Sequence, residues 1–103
     1  MKIDPLDITE KQFESQVRGL AKTFGWLYYH TWRSIHSPSG FPDCVMVKEG
    51  RIIFAELKSE KGKVSESQSE WLEALGRAKA EVYLWRPSDF DEIMEILLGH
   101  KGL

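Results

Sequence analysis

At 103 residues, with 42% hydrophobic and 12% aromatic content, the chain has apolar material for one core and little to spare. A formal net charge of −2 argues against a generic polyanion binder, and a single cysteine excludes both a disulfide framework and Cys-rich zinc sites. No apolar run approaches the ~20 residues of a membrane span and the N-terminus lacks a signal-peptide core, so a cytoplasmic location is expected.

Residues 1–8 read as a loose arm. Thr9-Glu10-Lys11-Gln12 is a capping box, and Phe13, Val17, Leu20 and Phe24 follow at helical spacing before Gly25, which predicts a helix over 9–24. Trp26-Leu27-Tyr28-Tyr29-His30-Thr31-Trp32 is aromatic and β-branched, a strand. Residues 33–40 are loop by composition and deliver the chain to Pro42-Asp43. Residues 59–64 link to a second capping box, Ser65-Glu66-Ser67-Gln68, and a helix of about three turns carrying Trp71, Leu72, Leu75 and Ala78 on one face. Residues 80–85 make a fourth strand, ended by Arg86-Pro87. Ser88 is expected to cap a last helix over 89–98.

Between the loop and the linker lie two apolar runs, Cys44–Val47 and Ile52–Ala55, around Lys48-Glu49-Gly50-Arg51. A glycine in a short polar break between such runs signals a hairpin. With Glu49 and Gly50 as its turn, Lys48 faces Arg51, Val47 faces Ile52, Val45 faces Phe54, and Asp43 faces Glu56. Lys58 then shares the face of Glu56. Opposed carboxylates repel, so an apolar hairpin carrying them needs an offsetting group. A divalent cation serves, because Mg²⁺ is held by one or two carboxylates with waters and substrate phosphates. Lys58 beside them supplies a point charge or a proton-transfer group. Asp43, Glu56, Lys58 and a metal are the minimum equipment for phosphodiester hydrolysis. The hairpin is apolar on both faces, so helices are expected over both, in a three-layer αβα fold with a mixed four-stranded sheet and element order αβββαβα.

Pro42-Asp43, twelve residues, then Glu56-Leu57-Lys58 resembles the signature of the PD-(D/E)XK nucleases. Ser39-Gly40-Phe41-Pro42-Asp43, a glutamate in the preceding helix (Glu14) and Gln68, ten residues past the lysine, are similar to the VRR-NUC branch, in its short stand-alone phage and bacterial form. The resemblance covers roughly residues 9–87. It implies a restriction-endonuclease-like core in one nuclease domain over 1–103. It also implies Mg²⁺ or Mn²⁺ held by Glu14, Asp43, Glu56 and the carbonyl of Leu57, with Lys58 orienting or deprotonating the attacking water or stabilising the pentavalent phosphorus. No small-molecule cofactor is expected.

Gln68 belongs to the helix cap on physical grounds, and the resemblance gives it a second task, bracing Lys58 or a phosphate. The local basic footprint for DNA is Arg33, His36, Lys61 and Lys63; a solvated polar loop accounts for the two lysines equally well. His30, His36 and His100 lack zinc-site spacing. The expected activity is a structure-specific DNA endonuclease, foremost a four-way junction resolvase. Two symmetric cuts call for a C₂ homodimer, and the last helix (Ile93, Met94, Ile96, Leu97, Leu98), extended by Trp85 and Phe90, is its candidate surface. A flap-directed or nicking nuclease, or an idle binding module, are the alternatives.

Overall fold

Thr9 and Gln12 exchange both hydrogen bonds of a capping box, 2.9 and 3.1 Å long, and start helix α1, Glu10–Thr23. A computed structural model describes residues 3–32 and 36–99. After α1 the chain forms strands β1 (Leu27–His30), β2 (Cys44–Lys48) and β3 (Arg51–Leu57), helix α2 (Glu66–Arg77), strand β4 (Glu81–Trp85) and helix α3 (Phe90–Leu97). This is the order expected from the periodicities, with short 3₁₀ turns added at Pro5–Asp7 and Pro87–Asp89. The second of these corrects the expected cap. Asp89 rather than Ser88 closes the turn, accepting from the Arg86 N–H at 2.8 Å, and α3 begins after it.

The sheet order is β1-β2-β3-β4, antiparallel across the first two pairs and parallel between β3 and β4. Glu49 and Gly50 both have positive φ, 45° and 81°, the backbone a two-residue type I′ hairpin requires. The register is the one expected: Lys48 opposite Arg51, Val47 opposite Ile52, Val45 opposite Phe54. Alternation then sorts the side chains. Tyr28, Cys44, Met46, Ile53, Ala55, Leu57 and Trp85 share one face, where α1 (Phe13, Val17, Ala21) and α3 (Ile93, Ile96, Leu97) bury them. Each large core side chain contributes about 1.5–3 kcal/mol through burial.

The opposite face is only half covered, contrary to expectation. Helix α2 packs against β4, and Trp71 meets Phe41, which meets Phe54, in successive edge-to-face contacts. No α2 residue is fully buried, and Leu27, Tyr29, Val47, Ile52 and Leu84 on this face remain exposed. The apolar stripe of α2 is too short to reach across four strands. A second correction concerns α3. Ile96, expected on the dimer surface, is 1% exposed, and Trp85, Ile93 and Leu97 are likewise buried, which leaves Leu98 as the exposed apolar group of that surface.

Candidate metal and nucleic-acid site

One step past the last ladder pair, Cys44 with Ala55, the hairpin register brings Asp43 against Glu56. Asp43 is fixed at both ends. Its carbonyl accepts from the Thr31 N–H at 2.8 Å, and Oδ2 accepts from the Leu57 N–H at 2.8 Å. Pro42, buried, and Gly40 shape the approach. Gly40 has φ +97°, and a Cβ there would stand 2.5 Å from the Ser67 backbone, so a glycine lets the loop lie directly on the start of α2.

Glu56 is the unusual group of the molecule. It is 1% exposed, and neither carboxylate oxygen has a hydrogen-bond partner among the described residues. Lys58, 9% exposed and on the same face, puts Nζ 3.3 Å from Oε2; this is an ion pair without hydrogen-bond direction. Burial first, and then the Asp43 carboxylate, push the Glu56 carboxyl up to about 7, with Lys58 pulling the other way. Both residues stand at the end of β3, yet they are enclosed, because β4 runs alongside and the Lys58 N–H donates to the Trp85 carbonyl.

Glu14 comes to the same groove from the other side. It lines a cleft with Asp43, Leu57 and His30, but its carboxylate accepts from the Tyr28 hydroxyl at 2.8 Å and pairs with Arg18 at 3.4 Å. The pleat explains this arrangement. Helix α1 packs on the face that holds Tyr28, Cys44 and Leu57, whereas Asp43, Glu56 and Lys58 point to the α2 face. Among the described residues no group of three or more Asp, Glu, His or Cys side chains is disposed to hold a metal ion. Within the carboxylate pair, however, the two buried Glu56 oxygens, neither hydrogen-bonded among the described residues and only Oε2 ion-paired, fit a divalent cation, whose hard charge is met by oxygen ligands.

Gln68 resolves the competition foreseen for it. Its Oε1 accepts from the Ser65 N–H at 2.8 Å and its own N–H donates to Ser65 Oγ at 3.2 Å, so the cap uses the amide oxygen. The amide NH₂ is left for the cavity that Gln68 lines together with Asp43. Lys61 and Lys63 are exposed on the loop after β3, and His36 is exposed in the turn before Asp43. Arg33 lies outside the described residues.

Periodicity missed three contributors. The Arg86 guanidinium donates to the carbonyls of Ser59, Glu60 and Gly62, at 2.7, 3.2 and 2.8 Å, and so moulds the loop carrying Lys61. Tyr28 holds Glu14, and burial among Cys44 and Glu14 keeps its phenol protonated. Trp32 stands 81% exposed beside Asp43. An arginine directly after a strand and an aromatic directly before a polar loop were the available signs.

No curated protein and no solved structure matches the chain. The family model for the VRR-NUC domain matches residues 21–88, a span that includes β1 to β4 and the Asp43, Glu56 and Lys58 positions. The chain therefore belongs to the VRR-NUC domain family, which implies a nuclease-type function of the kind generally dependent on a divalent metal.

Proposed function

We propose that the protein is a metal-dependent, structure-specific DNA endonuclease, foremost a four-way junction resolvase acting as a homodimer. The observation that carries the nuclease chemistry is Glu56. A buried carboxylate with no hydrogen bond to either oxygen among the described residues, pressed against Asp43 and offset by Lys58 alone, is costly unless a ligand completes it. Asp43, Glu56 and the Leu57 carbonyl would hold Mg²⁺ or Mn²⁺. When bound, the ion supplies positive charge to the phosphate oxygens and a more acidic water.

The chain's own residues do the rest. The Leu57 N–H fixes the Asp43 carboxylate, so that ligand is orientated before the ion arrives. Lys58, held to Glu56, presents its ammonium to the scissile phosphate and stabilises the charge that grows on its oxygens. Water attacks phosphorus in line; a new P–O bond forms, one ester P–O bond breaks, and the proton released by the water ends on the leaving oxygen or in solvent. Glu14, already engaged by Tyr28 and Arg18, acts at one remove, by setting the negative potential of the cleft that it shares with Asp43.

The dimer reading moves from α3 to the open half of the sheet. An exposed apolar face of this kind, with Leu27 75% exposed, is the surface chemistry of an interface between copies.

A panel of labelled four-way junctions, flaps, splayed arms and duplexes, incubated with Mg²⁺ or Mn²⁺, tests the activity. Symmetric paired cuts in the junction are expected, and Glu56→Gln should remove them. Sedimentation at micromolar concentration tests assembly. A strict monomer, with or without junction DNA, would leave the flap-directed or nicking enzyme in its place, and no cleavage of any substrate would leave the idle binding module.

A further inference from the structure

Beside the carboxylate pair lies an open cavity of about 670 Å³ that the hydrolytic chemistry does not require. Asp43 is part of its lining, so an occupant sits directly beside the carboxylate pair. Its walls are aromatic and come from different elements. Tyr29 and Trp32, 62% and 81% exposed, stand at the end of β1, while Phe41 and Trp71 face from the loop and α2. The Phe41 ring meets Trp71 edge-on at 5.1 Å, and His30 supports Trp32 edge-on at 5.9 Å. Both indoles therefore have backing, and Trp32 keeps its exposure. Ser67 and the Gln68 amide supply polar groups at the first turn of α2.

Packing alone does not account for Trp32, whose one ring contact among the described residues is with His30. Fully paired DNA cannot use the slot, because its bases are stacked inside the duplex and only backbone and groove edges reach the protein. An unpaired base can, because every base has a π-face and stacks on aromatic side chains independently of sequence. We propose that this cavity receives an unpaired nucleobase flanking the scissile phosphate, stacked on Trp32, and that Trp32 thereby selects duplex–single-strand junctions over continuous duplex. The inference rests on the nuclease chemistry for the position of the cut and not on the four-way junction, whose arms are fully paired; of the substrates considered it favours the flap-directed reading.

The test uses the full chain and two DNA probes in Ca²⁺, a splayed arm and a matched duplex. The splayed arm carries 2-aminopurine at its first unpaired position, and the duplex carries it at the same position, paired. Wild-type protein should quench the unpaired probe and bind it more tightly. Trp32→Ala should relieve the quench and raise the Kd for the splayed arm relative to duplex by about 5- to 150-fold, the range for one lost base stack. Trp32→Phe should recover most of both. Trp32 is exposed, so its replacement leaves the core untouched, and circular dichroism of each variant checks the fold. An unchanged Kd ratio in Trp32→Ala, or no binding of the splayed arm by the wild type, overturns the inference. Cleavage of the same probes in Mg²⁺ separates the two readings. Cutting without Trp32-dependent discrimination leaves the nuclease and removes the slot, whereas quenching without cutting leaves the slot and removes the nuclease.

Discussion

The β2–β3 hairpin carries like charges opposite each other at both of its ends, and the two ends treat them oppositely. At the turn, Lys48 faces Arg51. Lys48 donates to the Phe24 carbonyl at 2.6 Å, at the negative end of α1. Arg51 forms a two-pronged ion pair with Glu81, donates to the Ile96 carbonyl at 3.2 Å and lies over the Trp26 ring. Every cation there is answered by the fold. At the other end Asp43 adjoins Glu56, Asp43 receives one N–H, and Glu56 receives no hydrogen bond among the described residues. A charge that the protein satisfies by itself is scaffold, and a buried charge that it leaves unsatisfied is prepared for something arriving from outside.

Four experiments break or sharpen this contrast. The largest effect should come from the unsatisfied end. Glu56→Gln and Lys58→Ala are expected to lower the cleavage rate by about two to three orders of magnitude, the scale of a lost charge-stabilising group. Glu56→Gln should nevertheless lose no metal-free stability near pH 8, because it removes a buried charge. A marked drop in its urea midpoint would mean that Glu56 is scaffold after all.

Arg51→Ala probes the satisfied end. It strips a partly buried ion pair from Glu81 along with the Trp26 and Ile96 contacts, and should cost about 2–4 kcal/mol of unfolding free energy. Metal-dependent cleavage by the folded protein should persist. If cleavage fell while the fold held, the two ends would be coupled in a way that their contacts do not show.

Third comes pH. The Glu56 carboxyl is raised from 4.5 to about 7, so between these values the folded protein binds more protons than the unfolded chain. Metal-free stability should therefore fall as pH rises through that window, by about 2–3 kcal/mol in total. Urea titrations at pH 5 and 7.5 measure it, and Glu56→Gln should flatten the difference. Mg²⁺ should offset the loss at the upper pH, by about 2.7 kcal/mol at a hundredfold excess over Kd.

The smallest effect concerns the loop that Arg86 shapes. Replacing Lys61 and Lys63 by Glu should weaken DNA binding at low salt and lower the slope of log K against log salt by about 2, roughly 1 for each lost phosphate contact. An unchanged slope assigns both lysines to solvent.

Much of the molecule was legible from its residues because the relevant interactions are local. The capping boxes at Thr9 and Ser65 each need four consecutive residues, the Glu49-Gly50 turn needs two, and the period of two along a strand then sets the register that brings Asp43 to Glu56 and Lys58. What composition and spacing left open depends on how elements pack. The enclosure of Glu56 comes from β4 lying parallel beside β3, a pairing made across the whole of α2. The diversion of Glu14 to Tyr28 and Arg18 follows from which face of the sheet α1 covers. The burial of Ile96 and the bareness of Leu27 and Ile52 follow from α1 and α3 sharing one face while α2 alone attends the other. A strand's alternation says that two faces exist, and only tertiary packing decides how much of each is covered.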